Sequence, residues 1–153
     1  MKAIIIVSGG QTGADRAALD WALKHNVPCG GWCPKGRKAE DGPIDPKYPL
    51  KETPSASYLQ RTEWNVRDSD ATVLFSIESA LTGGSKKTVE FARKHEKPNL
   101  HLSAEDNAAA EKLKAFTEEH RVKILNVAGP RASNEPGVGE FVMRTLEAAF
   151  GRR

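Results

Sequence analysis

Three times in 153 residues a short apolar run ends in a glycine-bearing turn and gives way to a helical pattern. The runs are Ala3–Val7, Ala71–Phe75 and Lys123–Ala128. Their turns carry Gly9, Gly10 and Gly13, then Gly83 and Gly84, then Gly129. Helical spacing follows in Ala17–Leu23, in the stretch bearing Thr88, Phe91, Ala92 and His95, and from Val138 to Ala149. Nearly unbroken apolar runs suit strands buried on both faces, and intervening helices demand parallel crossovers. With further strands near residues 26–32 and at Asn99–Leu102, the expected class is α/β. The expectation is a Rossmann-like doubly wound, mostly parallel sheet of about five strands with helices on both faces, as one domain over 1–153.

In an open parallel sheet the strands' C-terminal ends meet at one crevice. A turn there that opens a helix offers main-chain N–H groups and a positive dipole end to an anion. Glycine lets the chain take positive φ and lets a ligand approach closely. The candidate phosphate binders are therefore Gly9, Gly10, Gln11, Thr12, Gly13, Asp15 and Arg16 in the first turn, and Gly83, Gly84, Ser85 and Thr88 in the second. Thr12 with Asp15 equally fits a capping box, and Lys86 and Lys87 equally fit a solvated helix start.

Between the first two helices, Cys33 to Ser55 is rich in Pro, Gly and charge and shows no period. A loop of that length in a small domain is functional or disordered. Tyr48 and Leu50 favour an ordered loop over a site. Gly31 to Lys38 is not a Walker A loop, since Gly36 is followed by Arg37 and Lys38. Ser57 and Gln60 open a helix through about Arg67, on which Arg61 and Asn65 share a face. Ser103 with Asp106 predicts a structural helix through about His120, and Pro136 fits the first position of the last helix. Val138, Phe141, Val142, Thr145, Leu146 and Ala149 form its buried stripe.

A net charge of +3 fits an anionic small molecule and is no strong argument for a nucleic-acid module, which ranks a distant third in the absence of a basic strip. No apolar stretch approaches the roughly 20 residues of a membrane helix, and the N-terminus shows no cleavage pattern. Cys29 and Cys33 fit neither a zinc framework nor the redox CxxC spacing, so free thiols in a cytoplasmic protein are expected. His25, His95 and His120 fall at or just after helix ends and His101 stands apart, leaving no evident nucleophile–base pair.

The sequence resembles the family of putative molybdenum cofactor carrier proteins, a circularly permuted branch of a Rossmann-like nucleotide-binding superfamily. That superfamily also holds the lysine decarboxylase-like nucleotide hydrolases. The matching segments are Ser8–Ala17, Trp32–Arg37 with Glu40–Gly42, Arg61–Thr62 with Asn65–Val66, Thr82–Ser85 with Thr88, and Asn126–Arg131. The resemblance implies a carrier or sensor for a phosphorylated ligand, either the pterin-based molybdenum cofactor or a nucleotide. It also implies a homo-oligomer, a dimer or tetramer. The hydrolases' Gly-Gly-x-Gly-Thr-x-x-Glu turn is not reproduced in Gly83–Glu90, which has one residue too many before its threonine, Thr88, and lacks the third glycine.

Two functions follow. A non-catalytic binder would hold phosphate on both glycine turns, with Arg37, Arg61 and Arg131 as guanidinium clamps beside Lys35 and Asn65. Asp15 would accept from a ribose or pterin group, and Trp32 or Tyr48 would stack on a ring or belong to the core. A nucleotide hydrolase would instead need Glu90, Glu40 or Asp41 for acid–base work. A hydride-transfer enzyme is disfavoured, since there is no GxGxxG and no acidic residue closes the second strand.

Overall fold

The central sheet is wholly parallel and has five strands: β1 (Ile5–Val7), β2 (Cys29–Gly30), β5 (Ala71–Ser76), β6 (Asn99–Ser103) and β7 (Ile124–Ala128). They lie in the order β2-β1-β7-β5-β6. Between β2 and β5 in the chain, β3 (Trp32–Cys33) and β4 (Lys51–Glu52) form a separate parallel ribbon. The computed structural model describes residues 4–151; Ala3, the first residue of the expected first strand, lies outside them. The chain runs outward from β1 to β2 and from β5 to β6, then returns to insert β7 between β1 and β5. Its crossovers thus diverge around β1, β7 and β5, which makes their C-terminal ends the switch region of the sheet.

Five helices cover the sheet: α1 (Ala14–Lys24), α2 (Tyr58–Arg67), α3 (Gly83–Lys94), α4 (Ala109–Glu119) and α5 (Val138–Phe150). α1, α5 and α4 pack side by side, and α2 packs on α3. The two layers differ in chemistry. Leu125, Val127, Val73 and Phe75 enter a continuous apolar cluster with Trp21, Leu113, Phe141 and Leu146. Each such side chain contributes roughly 1.5–3 kcal/mol of burial. Strand alternation turns Asn126 and Thr72 the opposite way, where Asn126 Nδ2 donates to Thr72 Oγ1 at 3.1 Å. The helices on that side bury Arg61, Asn65, Ser85 and Thr88. One face of the sheet is an apolar core, and the other is a buried polar layer.

All six residues of the expected α5 stripe are buried. The long loop is ordered, and it contains β4. Its Ile44, Tyr48 and Leu50 pack with Ala39, Cys33 and Leu19 of α1 in a second small core. Two helix starts fall later than their capping patterns predict. Asp106 Oδ2 accepts from Ser103 N, and Asp106 N donates to Ser103 O; this closed turn delays α4 to Ala109. Glu135 Oε1 accepts from Ile77 N and holds the segment before α5 in a turn, so α5 begins two residues past Pro136. The expected second strand divides at Gly31, whose φ of 124° and contact with Ser8 admit no side chain.

At Gly129 an added Cβ would lie 2.6 Å from Ala14 Cβ and 2.6 Å from Phe75 O. Gly129→Ala is therefore expected to destabilise the protein by about 1–3 kcal/mol, read as a lower urea midpoint with unchanged slope.

Candidate functional site

A cleft of about 290 Å³ opens over the ends of β1 and β7, bounded by α2 and by the first turn of α3. Both expected glycine turns reach it, as does the turn after β7. Of the residues singled out in the sequence, Gly9, Gln11, Asp15, Arg61, Asn65, Gly83, Gly84, Ser85, Thr88 and Arg131 line it. Its floor is the pair of Asp15 and Arg61, 3.1 Å apart and each about nine-tenths buried. Burial pushes the Asp15 carboxyl up to about 6, against the opposing pull of Arg61, the Gln11 amide and Arg16. Burial likewise lowers Arg61, with Asp15 opposing. One shift runs up and the other down, but they share a cause: removal from water disfavours the charged form of each.

The other candidates lie elsewhere. Gly10 packs beneath Leu50 and Ile44 of the long loop, and Gly13 abuts the main chain of Pro130 and Arg131. Thr12 Oγ1 bonds to Glu40 and accepts from Ala132 N. Arg16 donates to Gly10 O and to both oxygens of Asp41. Arg37 serves as the hub of its own loop, donating to the carbonyls of Ile44, Asp45, Tyr48 and Leu50. Lys35 is exposed and outside the lining. The loop therefore braces the first glycine turn from behind, with no residue of 33–55 in the cleft wall. Trp32 packs edge-on against Trp64, and Tyr48 Oη donates to Asp20; both belong to packing.

The carboxylates considered for hydrolysis are also placed outside. Glu40 ties Thr12 to Ser133, Asp41 pairs with Arg16, and Glu90 is exposed beside Lys87 at 3.5 Å. His25, His95 and His120 are the C-cap residues of α1, α3 and α4. His101 Nε2 lies 2.6 Å from Ser76 Oγ, but that hydroxyl donates to Glu78 O, so the imidazole is the donor to it. Among the described residues no cluster of three or more His, Cys, Asp or Glu could hold a metal ion, and both cysteines are free.

Tyr58 and Asn126 line the cleft and escaped the sequence reading. Arg61 and Arg131 stand 5.2 and 5.3 Å from the centre of the Tyr58 ring, and Lys38 Nζ stands 4.6 Å from it. The signal for Tyr58 was its place three residues before Arg61, on the same helix face. For Asn126 it was a lone amide in an apolar strand. Asn65 lines the cleft with its carboxamide already spent, accepting from Trp32 N and donating to Trp32 O.

The α3 wall differs from the rest. Thr82 holds the N-cap position without a side-chain bond, no acidic residue lies in the first turn, and added Cβ atoms at Gly83 and Gly84 would meet nothing. A model of the circularly permutated YpsA SLOG family matches residues 6–150. The chain belongs to that family. A crystal structure at 1.45 Å of a protein from Syntrophus aciditrophicus SB, described as a putative molybdenum carrier protein, is 44% identical in sequence. It superposes with a TM-score of 0.92 over 97% of this chain and 95% of that one. None of the curated proteins searched matches. Among the described residues no helix of this SLOG-family chain is long and apolar enough to cross a membrane.

The floor has a pH signature. Between 3.8 and about 6 the folded protein holds a proton on Asp15 that the unfolded chain releases, so this group's contribution to stability falls as pH rises through that interval. The difference amounts to at most about 3 kcal/mol. Glu40, Asp41, Glu63, Asp68 and Asp106 are held low and work in the opposite sense. Urea unfolding from pH 4 to 7 is therefore compared with Asp15→Asn, whose stability lacks the Asp15 decline.

Proposed function

We propose that this chain is a non-catalytic carrier that binds a compact phosphorylated molecule, a pterin such as the molybdenum cofactor or a nucleotide, in the cleft. The observation that carries this reading is the first turn of α3. Among the described residues the amides of Gly83 and Gly84 donate to no protein acceptor, and they open on the same cleft as Arg131. Unpaired helix-start amides with a nearby guanidinium suit a phosphoryl group. The cleft volume lies at the small end of ligand sites, which favours one fused-ring system or nucleoside with one phosphoryl group over a dinucleotide. Gln11, also in the wall, keeps its buried Nε2 without a partner, a donor that a ligand oxygen would satisfy. The Syntrophus protein's description points the same way. Asp15, the carboxylate in the lining, is engaged by Arg61 and the Gln11 amide, an arrangement suited to holding structure rather than to activating water.

Mass spectrometry of small molecules released from gently purified protein, with a thermal-shift panel of nucleotides and pterins, tests the reading. An intact phosphorylated pterin or nucleotide is expected, with a raised Tm for the matching compound. A free base with a ribose phosphate would show turnover and replace the carrier by a hydrolase.

Two variants separate binding from folding. Arg131→Ala should weaken binding of the recovered ligand about tenfold to a hundredfold with little change in Tm of the free protein. Gly84→Asp supplies α3 with its own anion. It should leave stability unchanged or raise it by roughly 0.5 kcal/mol while reducing affinity, measured by calorimetric titration.

A further inference from the structure

The two glycine turns facing the cleft are unlike in how their donors are used. At the β1–α1 turn four amides already have acceptors. Gly10 N donates to Ser8 Oγ at 3.4 Å, Gln11 N to Asp15 Oδ2 at 3.3 Å, Thr12 N to Gln11 Oε1 at 3.1 Å and Ala14 N to Pro130 O at 3.3 Å. Arg61 Nη1, the nearest buried cation, is 3.1 Å from the same Oδ2. The carboxylate of Asp15 thus takes the Gln11 amide and the buried guanidinium, two partners of the kind a phosphate would use. At α3, no side chain plays that part.

We infer that Asp15 is the built-in anion of the first glycine turn: it excludes phosphate there, and so fixes the direction in which a ligand lies. The inference rests on the proposed ligand site and adds an orientation to it. The phosphoryl end of the ligand goes to α3, and the end that meets Asp15 is one that carries a neutral hydrogen-bond donor, a hydroxyl or a ring N–H. A second phosphoryl group directed toward β1 would face a buried carboxylate with its amides and its arginine already spent, and like charge in a poorly hydrated corner opposes it. Asp15 is then a specificity-determining residue that works by repulsion.

Inorganic phosphate is the probe, and residue-resolved amide shifts in ¹H–¹⁵N spectra are the readout. In the wild-type protein phosphate should move the amides of Gly83, Gly84 and Ser85 and leave those of Gly10, Gln11 and Thr12 in place. In Asp15→Asn, which frees Arg61 and removes the charge, a second set of shifts should appear at Gly10–Thr12, with affinity at that turn at least about tenfold above wild type. Asp15→Ser serves this arm where the asparagine variant does not fold, and the wild-type spectra decide the question without any variant. Wild-type shifts at Gly10–Thr12 would overturn the inference and leave the cleft as a phosphate site. A folded variant with no new shifts at that turn would overturn it as well. Shifts at neither turn in the wild type would overturn both this inference and the proposed ligand site.

Discussion

The contact between Asp15 and Arg61 joins the first turn of α1 to the middle of α2 across the end of β1. Much of the local backbone is arranged to permit it. Gly9 has no room for a side chain because the Arg61 guanidinium occupies the place of its Cβ. Arg61 Nε donates to Tyr58 O, one turn back on its own helix, and this aligns the guanidinium. A buried pair of this kind adds little net stability against an apolar replacement, whereas removing one partner strands the other. Such a pair is retained for what it positions. It sets the cleft floor and takes up the Gln11 amide of the first glycine turn.

The apolar core and the candidate site occupy opposite faces of the sheet. The α1–α5–α4 side buries aliphatic and aromatic side chains in one continuous cluster, with Phe75 and Phe141 edge to face at 5.4 Å. The α2–α3 side buries Arg61, Asn65, Ser85 and Thr88 against Thr72 and Asn126. Buried polar groups must be hydrogen-bonded, and most of these are: Asn65 takes the place of a strand partner for Trp32, and Thr88 Oγ1 donates to Gly84 O. Gln11 Nε2 is the exception among buried side-chain atoms of the described residues. An unsatisfied donor in the wall of a cleft is a debt that a bound ligand settles.

The sheet was legible in the sequence because its strands are largely apolar runs broken only by single polar residues such as Thr72 and Asn126, a pattern that needs no tertiary information to read. The glycine turns were legible because Gly10 and Gly13, at φ of 77° and 83°, carry conformations that other residues avoid. What those turns do was harder to see. Arg37, Arg61 and Arg131 look alike in the sequence, yet Arg37 binds four carbonyls of its own loop, Arg61 is held by a buried aspartate and Arg131 faces the cleft. A guanidinium takes whatever acceptors the fold brings near, and only the three-dimensional path of residues 34–50 puts four carbonyls around Arg37. The long loop likewise advertised order through Tyr48 and Leu50, but its apolar anchors meet Leu19 on the outer side of α1, which places it behind the turn.

The walls of the cleft differ in stiffness for the same reasons. On the β1 and β7 side, the Glu40 carboxylate takes hydrogen bonds from Thr12 Oγ1 and from both Ser133 N and Oγ, while Glu40 N donates to Gln11 Oε1 and Thr12 Oγ1 accepts from Ala132 N. Three separate chain segments are fastened at that point, and Arg131 is carried on one of them. The α3 wall has no comparable fastening: Thr82, Gly83 and Gly84 are exposed, and the helix begins without a side-chain cap. A helix start left in this state is missing about 1 kcal/mol of capping energy that an ordinary N-cap residue would supply. On the proposed reading, an anion bound there would complete the helix as well as the site, facing the fastened segment that carries Arg131 on the opposite wall.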